Sequence, residues 1–113
     1  MKKFVIALFC GAVSLSAAAG GNVAIGKEKA AKFNCASCHG ADYKSPIDPS
    51  YPKLAGQHAG YLENALRAYK RTDGMNTRQN AIMGPLAKQL SNEDMANIAA
   101  YLSSLPSDLV LKR

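Results

Sequence analysis

Apolar residues recur at helical spacing in two segments of the chain. In the first segment, positions i, i+3, i+4 and i+7 of one helix face are occupied by Leu62, Ala65, Leu66 and Tyr69. In the second, the corresponding apolar stripe consists of Met95, Ile98, Ala99 and Leu102. Such periodicity is typical of amphipathic helices that bury one face. We predict one helix over residues 60–71 and a carboxy-terminal helix that ends before Pro106.

Two further signals indicate where helices begin and end. Ser91 stands just before the carboxy-terminal stripe and Asp94 follows three residues later, a variant of the capping box, in which two side chains satisfy the first backbone N–H groups. Residues 26–34 are rich in Lys, Glu and Ala, which predicts an amino-terminal helix that ends near Cys35. We find no strand pattern, so the chain is predicted to be all-α.

Two long segments between these helices contain residues that interrupt regular structure. Residues 42–60 include three prolines and residues 72–85 include Gly74, Gly84 and Pro85. Loops of this length are uncommon in compact domains unless they are functional or disordered. Three modest helices also give a small core. We therefore expect a bound apolar group to order both segments.

The amino terminus has the order of a secretory signal peptide. It starts with two lysines, continues with an apolar run over residues 4–13 and reaches small residues at 16–20. The apolar run is well short of the roughly 20 residues that a membrane-spanning helix needs. We predict export to the periplasm and cleavage after Ala19, so that Cys10 is lost with residues 1–19. Residues 20–113 would then form one domain with no stable membrane insertion.

The remaining cysteines stand in the motif Cys35-Ala36-Ser37-Cys38-His39. C-x-x-C-H is the attachment site of c-type haem, because the two thiols add across the two porphyrin vinyl groups and the histidine lies under the iron. Gly40 lets the chain turn away without a side chain against the macrocycle. We predict one covalently attached haem c, with His39 as the proximal iron ligand.

Two other uses of the same cysteines lack their context. A thioredoxin-like redox pair needs a strand-rich α/β unit around it, and the sequence predicts none. A zinc site needs four ligands, whereas residues 20–113 offer only His39 and His58 beside the two thiols. These considerations favour haem over a redox disulfide or zinc.

The sixth iron ligand has several candidates. Met95 lies on the apolar stripe of the last helix, and we expect it to be a core residue. Met75 and Met83 both lie in the segment before that helix, and a thioether from either suits haem iron. His58, beside the start of the second helix, is a further alternative.

Three segments beyond the haem motif resemble the class I cytochromes c, and among them the small modules of the cytochrome c-four type. The matching segments are 52–57 (PKLAGQ), 78–83 (RQNAIM) and 90–102, which begins LSNED and ends AAYL. The resemblance implies the class I cytochrome c fold, with three to four helices and long loops around one haem. It also implies that the terminal helices cross through Gly26, Phe33, Ile98 and Tyr101. The first-helix glycine stands one residue farther from Cys35 than is usual.

The resemblance also implies roles for individual residues. Met83 matches the ligand position in Arg-x-Asn-x-x-Met, which favours it over Met75. The carbonyl of Pro52 matches the acceptor of the ring hydrogen of the proximal histidine. Gln57 and Arg78, together with Asn80, are expected to bind the haem propionates or to hold the ligand loop.

Charge gives an expectation about partners. Removing Lys2 and Lys3 from the formal charge of +6 leaves +4, and lysines are scattered along the chain at Lys27, Lys29, Lys32, Lys44, Lys53 and Lys88. A basic rim near an exposed haem edge would steer the protein towards acidic partners. The sequence contains no basic run with interleaved aromatic residues, which is the pattern that would indicate nucleic-acid binding. We therefore predict no nucleic-acid partner.

The function implied by the resemblance is that of a non-enzymatic, one-electron shuttle of the respiratory chain with His/Met ligation. Its partners would be a dehydrogenase or cytochrome bc-type complex on one side and a terminal oxidase or reductase on the other. The alternatives are a haem subunit docked on a dehydrogenase and an open-site haem enzyme or sensor. The last needs a distal acid–base group, and no His, Glu or Arg is clearly placed for it.

Overall fold

The computed structural model describes residues 20–108, which form five helices and no strand. The helices are α1 Val23–Lys32, α2 Ala36–His39, α3 Ala59–Lys70, α4 Met83–Lys88 and α5 Asn92–Ser104. The all-α prediction is confirmed. The signal peptide predicted over residues 1–19 lies outside the described residues. Within residues 20–108, no helix has the length and apolar character needed to cross a membrane.

The largest helix–helix contact is the crossing of α1 and α5. Gly26 is buried there, and a Cβ atom at this position would collide with the backbone carbonyl of Asn97 and lie 2.8 Å from the Cβ of Tyr101. Ile98 is 2% exposed, and Phe33 and Tyr101 pack against the same core. The predicted crossing residues therefore do meet, and the absence of a side chain on Gly26 lets the two backbones approach.

The start of α5 is held by the predicted capping box. The Asp94 N–H donates to Ser91 Oγ at 3.0 Å, and the Ser91 N–H donates to the Asp94 carboxylate at 3.1 Å. The Ser91 N–H, more than the neighbouring Lys29 ammonium at 3.2 Å, holds the pKa of Asp94 below its ordinary value. Leu90 and Met95 flank the cap and are almost fully buried, as in a hydrophobic staple. Met95 is a core residue, as predicted.

Helix α3 follows its predicted bounds to within one residue and packs on α5 and α4. Leu62 is 5% exposed, and Leu66 packs against the core that Leu62 shares with α5. The predicted apolar stripe therefore faces the core, at least along these two residues.

The structure differs from the sequence prediction at two short helices. Helix α4 begins at Met83, inside the segment expected to be a loop, and α2 is a single turn directly after α1. Pro85 is tolerated in α4 because it lies in the first turn, where backbone N–H groups have no partner within the helix. Asn80 supplies the missing acceptor, since its side-chain oxygen bonds the N–H groups of Ile82 and Met83 at 2.9 Å each.

Candidate functional site

The two thiols of the C-x-x-C-H motif lie one helical turn apart. Asn34 adopts a left-handed conformation (φ 56°), which ends the α1 segment and redirects the chain into the motif. The N–H groups of Cys38 and His39 both donate to the Cys35 carbonyl. Residues at i and i+3 of a helix share a face, so the backbone presents both cysteines on one side. Both thiols are free and half-buried, and burial raises the pKa of Cys35.

The imidazole of His39 is buried, with 7% of the residue exposed, and has a fixed orientation. Its Nδ1 atom lies 2.9 Å from the carbonyl oxygen of Pro52. A carbonyl oxygen only accepts hydrogen bonds, so Nδ1 carries the hydrogen, and in the neutral imidazole Nε2 then keeps its lone pair. This is the tautomer that a metal-ligating histidine needs. The resemblance implied this contact with Pro52, and the structure contains it.

The loop after the motif folds back onto it. Gly40 has φ 90°, and a Cβ atom there would collide with the carbonyl of Ser45. The N–H of Ile47 then donates to the Cys38 carbonyl at 3.0 Å. The Asp42 carboxylate accepts from the N–H groups of Lys44 and Ser45, which lowers the pKa of Asp42. These bonds keep the loop close to the two cysteines.

Tyr43 connects this loop to the segment that contains Pro52. Its carbonyl accepts from the N–H groups of both Leu54 and Ala55, at 2.8 and 3.0 Å. Its ring is 5% exposed and packs edge-on against Tyr101, with centroids 5.9 Å apart. Burial is the main reason that the pKa of Tyr43 is raised to about 12. The Pro52 carbonyl is thereby held against His39 by backbone contacts anchored in the core.

Arg78 fixes the segment before Met83 to α3. The backbone N–H of Arg78 donates to the Ala68 carbonyl at 2.9 Å. Its guanidinium lies over the rings of Tyr61 and Tyr69, 5.6 and 5.5 Å from the centroids, and donates to the Tyr61 hydroxyl at 3.2 Å. Two residues later, Asn80 caps α4 at Met83. The chain leading to Met83 is thus fixed at two points.

The other predicted residues are placed as follows. Met83 is half-buried, whereas Met75 is 89% exposed and precedes Asn76, which is left-handed with φ 64°. The side-chain oxygen of Gln57 accepts from the N–H of His58 at 2.9 Å. His58 is exposed at the N-cap of α3, and its side chain makes no capping bond.

The pair of tyrosines that hold Arg78 was not predicted from the sequence. Tyr61 and Tyr69 stand eight residues apart on α3, a little over two helical turns, so their side chains leave the helix about 80° apart. The contact with Arg78 depends on how the following loop folds back onto α3, so the sequence contains no local signal for it. Periodicity alone placed Tyr69 on the core stripe, although the residue is only half-buried.

The described residues fit a covalently bound iron porphyrin. They provide two free thiols one turn apart and a buried imidazole whose Nε2 lone pair is available, which is the donor set of a c-type haem. Within residues 20–108, no three His, Cys, Asp or Glu side chains form a group that could hold a metal ion.

Comparison with known proteins gives consistent matches. The family model described as Cytochrome c matches residues 23–106. Cytochrome c-554(548) of Halomonas halodenitrificans is 46% identical over 85 residues, which are 74% of this chain and 96% of that protein. Cytochrome c4 of Pseudomonas aeruginosa is 42% identical over 106 residues, which are 92% of this chain and 49% of that protein.

A solved structure matches in the same way. The reduced recombinant cytochrome c4 from Pseudomonas stutzeri superimposes with a TM-score of 0.66 at 34% identity. The match covers 76% of this chain and 46% of that one. The chain therefore spans nearly all of the cytochrome c-554(548) relative and about half the length of these cytochromes c4.

Proposed function

The chain belongs to the cytochrome c family, whose members carry covalently attached haem c, and from this premise we propose that it is a periplasmic shuttle that carries one electron at a time. The haem iron, when bound, gains and loses that electron. The observation that carries the proposal is the His39 imidazole, which is buried and held by the Pro52 carbonyl with Nε2 free.

In this proposal, Cys35 and Cys38 attach the haem and His39 is the proximal ligand. Pro52 holds the ring of His39 in one tautomer and one orientation, so the ligand needs no rearrangement when the iron changes its charge. A neutral imidazole with a hydrogen-bonded Nδ1 is also a more basic ligand. The four residues act as one unit, and the loop contacts of Gly40 and Tyr43 keep them together.

We assign the sixth ligand to Met83. The N–H of Met83 donates a hydrogen bond to the side-chain oxygen of Asn80, and Arg78 fixes the preceding segment to α3. These contacts constrain how the thioether of Met83 would approach the iron. The exposed Met75 has no such support. A thioether opposite histidine raises the potential of a haem and suits an electron carrier. With His39 and Met83 both bound, the iron would offer no open position for a substrate, which argues for a carrier and against an enzyme.

The contacts of Arg78 and Gln57 favour one of the two roles considered for them. Arg78 is engaged by Tyr61 and Tyr69, and Gln57 bonds the N–H of His58. We therefore propose that both residues hold the loops around the cofactor. Residues 1–19 would direct export, and residues 20–113 would form the mature domain. The partners would be redox proteins of the respiratory chain, such as a dehydrogenase or a cytochrome bc-type complex and a terminal oxidase or reductase.

The proposal is tested on protein purified from the periplasm of the producing bacterium. We expect an intact mass equal to residues 20–113 plus one haem, and a redox titration that follows a one-electron Nernst curve. Haem that is released by acidified organic solvent would contradict covalent attachment. A reduced form that turns over a substrate in the absence of any redox protein would contradict the role of a carrier.

A further inference from the structure

Positive charge is unevenly distributed over the described residues. Residues 61–90 contain five basic residues and two acidic ones, whereas the remainder of the range 20–108 contains five basic and six acidic ones. The excess of positive charge is therefore located in the part of the fold formed by α3, α4 and the segment between them. All three arginines of the described range, Arg67, Arg71 and Arg78, lie there.

The lysines outside this part are a weaker source of positive potential. Lys29 forms an ion pair with Asp94 at 3.2 Å, and Lys44 forms one with Asp108 at 3.3 Å. A carboxylate beside an ammonium cancels most of its field at a distance. The rim of scattered lysines expected from the sequence is thus partly neutralised, and the arginines become the principal cationic feature.

Two adjoining grooves, of about 510 and 450 Å³, bring these arginines together. The larger groove lies between α3 and the following segment and is lined by Tyr61, Arg67, Arg71, Asn76 and Arg78, among others. The smaller one is lined by residues that include Tyr69, Arg71, Arg78, Gly84, Pro85 and Lys88. Arg71 and Arg78 belong to both. No acidic residue is among the described residues that line either groove.

The arginines differ in how far they are already engaged. Arg67 is bonded to Glu63 at 2.6 Å. Arg78 is held over two tyrosine rings and its guanidinium interacts with both Tyr61 and Tyr69. A guanidinium has five N–H donors, so these contacts leave other N–H groups available. Arg71 is exposed and forms no ion pair in the described part of the chain. Tyr61 is 51% exposed beside them. Ordered arginine next to exposed tyrosine is the composition of interface hot spots.

We propose that these two grooves, which we call the arginine grooves, are the docking surface for a carboxylate-rich surface of a redox partner protein. Guanidinium groups bind carboxylates through paired hydrogen bonds, and Arg78 is ordered before binding. Gly84 and Pro85 directly follow Met83 in the chain, so the partner would dock against the segment that carries the proposed ligand. This inference rests on the proposed electron-transfer function.

The test compares two double variants of the haem-loaded protein that change its net charge equally. Arg71→Gln with Lys88→Gln removes two charges from the arginine grooves. Lys27→Gln with Lys53→Gln removes two charges from exposed lysines elsewhere that form no ion pair within residues 20–108. The probe is a decaglutamate peptide, and binding is followed through the amide signals of the ¹⁵N-labelled protein at low salt. We expect shifts at residues 61–90 and a dissociation constant about fivefold higher for the groove variant alone.

Equal weakening by both variants would overturn the proposal, because it would mean that net charge, and no particular face, attracts the peptide. Binding to vesicles that contain phosphatidylglycerol, with loss only in the groove variant and with no binding of decaglutamate, would also overturn it. The redox titration is read on the same samples. If the one-electron curve is intact but decaglutamate shows no groove-specific binding, only the proposal of a docking surface is rejected. If the unmodified protein gives no one-electron curve, the proposed function as an electron carrier is rejected.

Discussion

At the scale of single residues, the carboxylate of Asp94 has a consequence for stability. It accepts the Ser91 N–H and pairs with Lys29, so its pKa is below the ordinary value in the folded protein. Because the pKa is lowered in the folded state, the ionised carboxylate stabilises the fold. This stabilisation is complete above the unfolded pKa of about 3.9 and is lost as pH falls through the folded pKa. The pH dependence of stability is therefore confined to acid solutions, and at physiological pH the stabilisation by Asp94 is complete.

Replacing this residue gives the first prediction. Asp94→Asn should lower the free energy of unfolding by about 1 kcal/mol at pH 7, the usual effect of a helix cap, and the difference from the unmodified protein should shrink below about pH 4. Urea unfolding followed by circular dichroism at pH 7 and pH 3 measures it. Asp73→Asn, at an exposed loop position, is the control and should change little. A difference that is equal at both pH values would rule out the ionised carboxylate as the cause.

The residues of the site were predictable to different degrees. Cys35, Cys38 and His39 carry their chemistry in a local motif, so their spacing alone predicted the haem. Arg78 was predicted as a contact of the haem or the loop, but its partners Tyr61 and Tyr69 lie on another element. No local pattern specifies which rings a guanidinium will meet across a loop. Contacts of this kind depend on how the segment between two helices folds back.

At the scale of elements, the helices with periodic patterns were predicted and the short ones were not. Helix α3 has enough turns for its apolar stripe to repeat, and α5 has both a stripe and a cap. Helix α4 has six residues, two of which are Gly84 and Pro85, so composition indicates a loop. Its start depends on the side chain of Asn80, a contact that periodicity does not detect.

The α1–α5 crossing supports a second prediction. Gly26→Ala should destabilise the protein by about 3 kcal/mol, because the added Cβ meets the backbone carbonyl of Asn97 and the helices must move apart. Gly60→Ala is the matched control, since Gly60 lies in α3 and a Cβ atom added there would meet no other atom within 4 Å. It should leave stability unchanged or slightly raised. Thermal unfolding of the two haem-loaded variants compares them, and equal losses would contradict the close crossing.

At the scale of the whole molecule, the core is small for the length of the chain. Among residues 20–108, nine residues form the buried apolar cluster. They come from α1, α3 and α5, from Leu90 just before the cap of α5, and from the loop residues Tyr43 and Ala55. The long segments around the cysteine motif are held mainly by turns and single hydrogen bonds. A chain of this size commonly needs a cofactor or disulfides to complete its core. The haem is expected to fill that role here.

This dependence gives a third prediction. The double variant Cys35→Ala with Cys38→Ala should lose most of its helix content, because the haem can no longer be attached and the loops lose their apolar partner. Far-ultraviolet circular dichroism of the purified variant measures the helix signal. The single variant Ser37→Ala, within the same motif but without a thiol, should attach haem and fold. Native helix content in the haem-free double variant would contradict the account of the core.

The ligand set is the central claim, and replacing each loop methionine tests it most directly. Met83→Ala should abolish the sulfur-to-iron charge-transfer band of the oxidised protein, lower the reduction potential and open the reduced iron to carbon monoxide. Met75→Ala should leave all three nearly unchanged, because Met75 is 89% exposed and lacks the support that Asn80 and Arg78 give to Met83. The decisive measurement is the charge-transfer band of the two oxidised variants side by side. We predict that it is lost in Met83→Ala and retained in Met75→Ala; the opposite pattern, or a band that survives both substitutions, would contradict ligation by Met83.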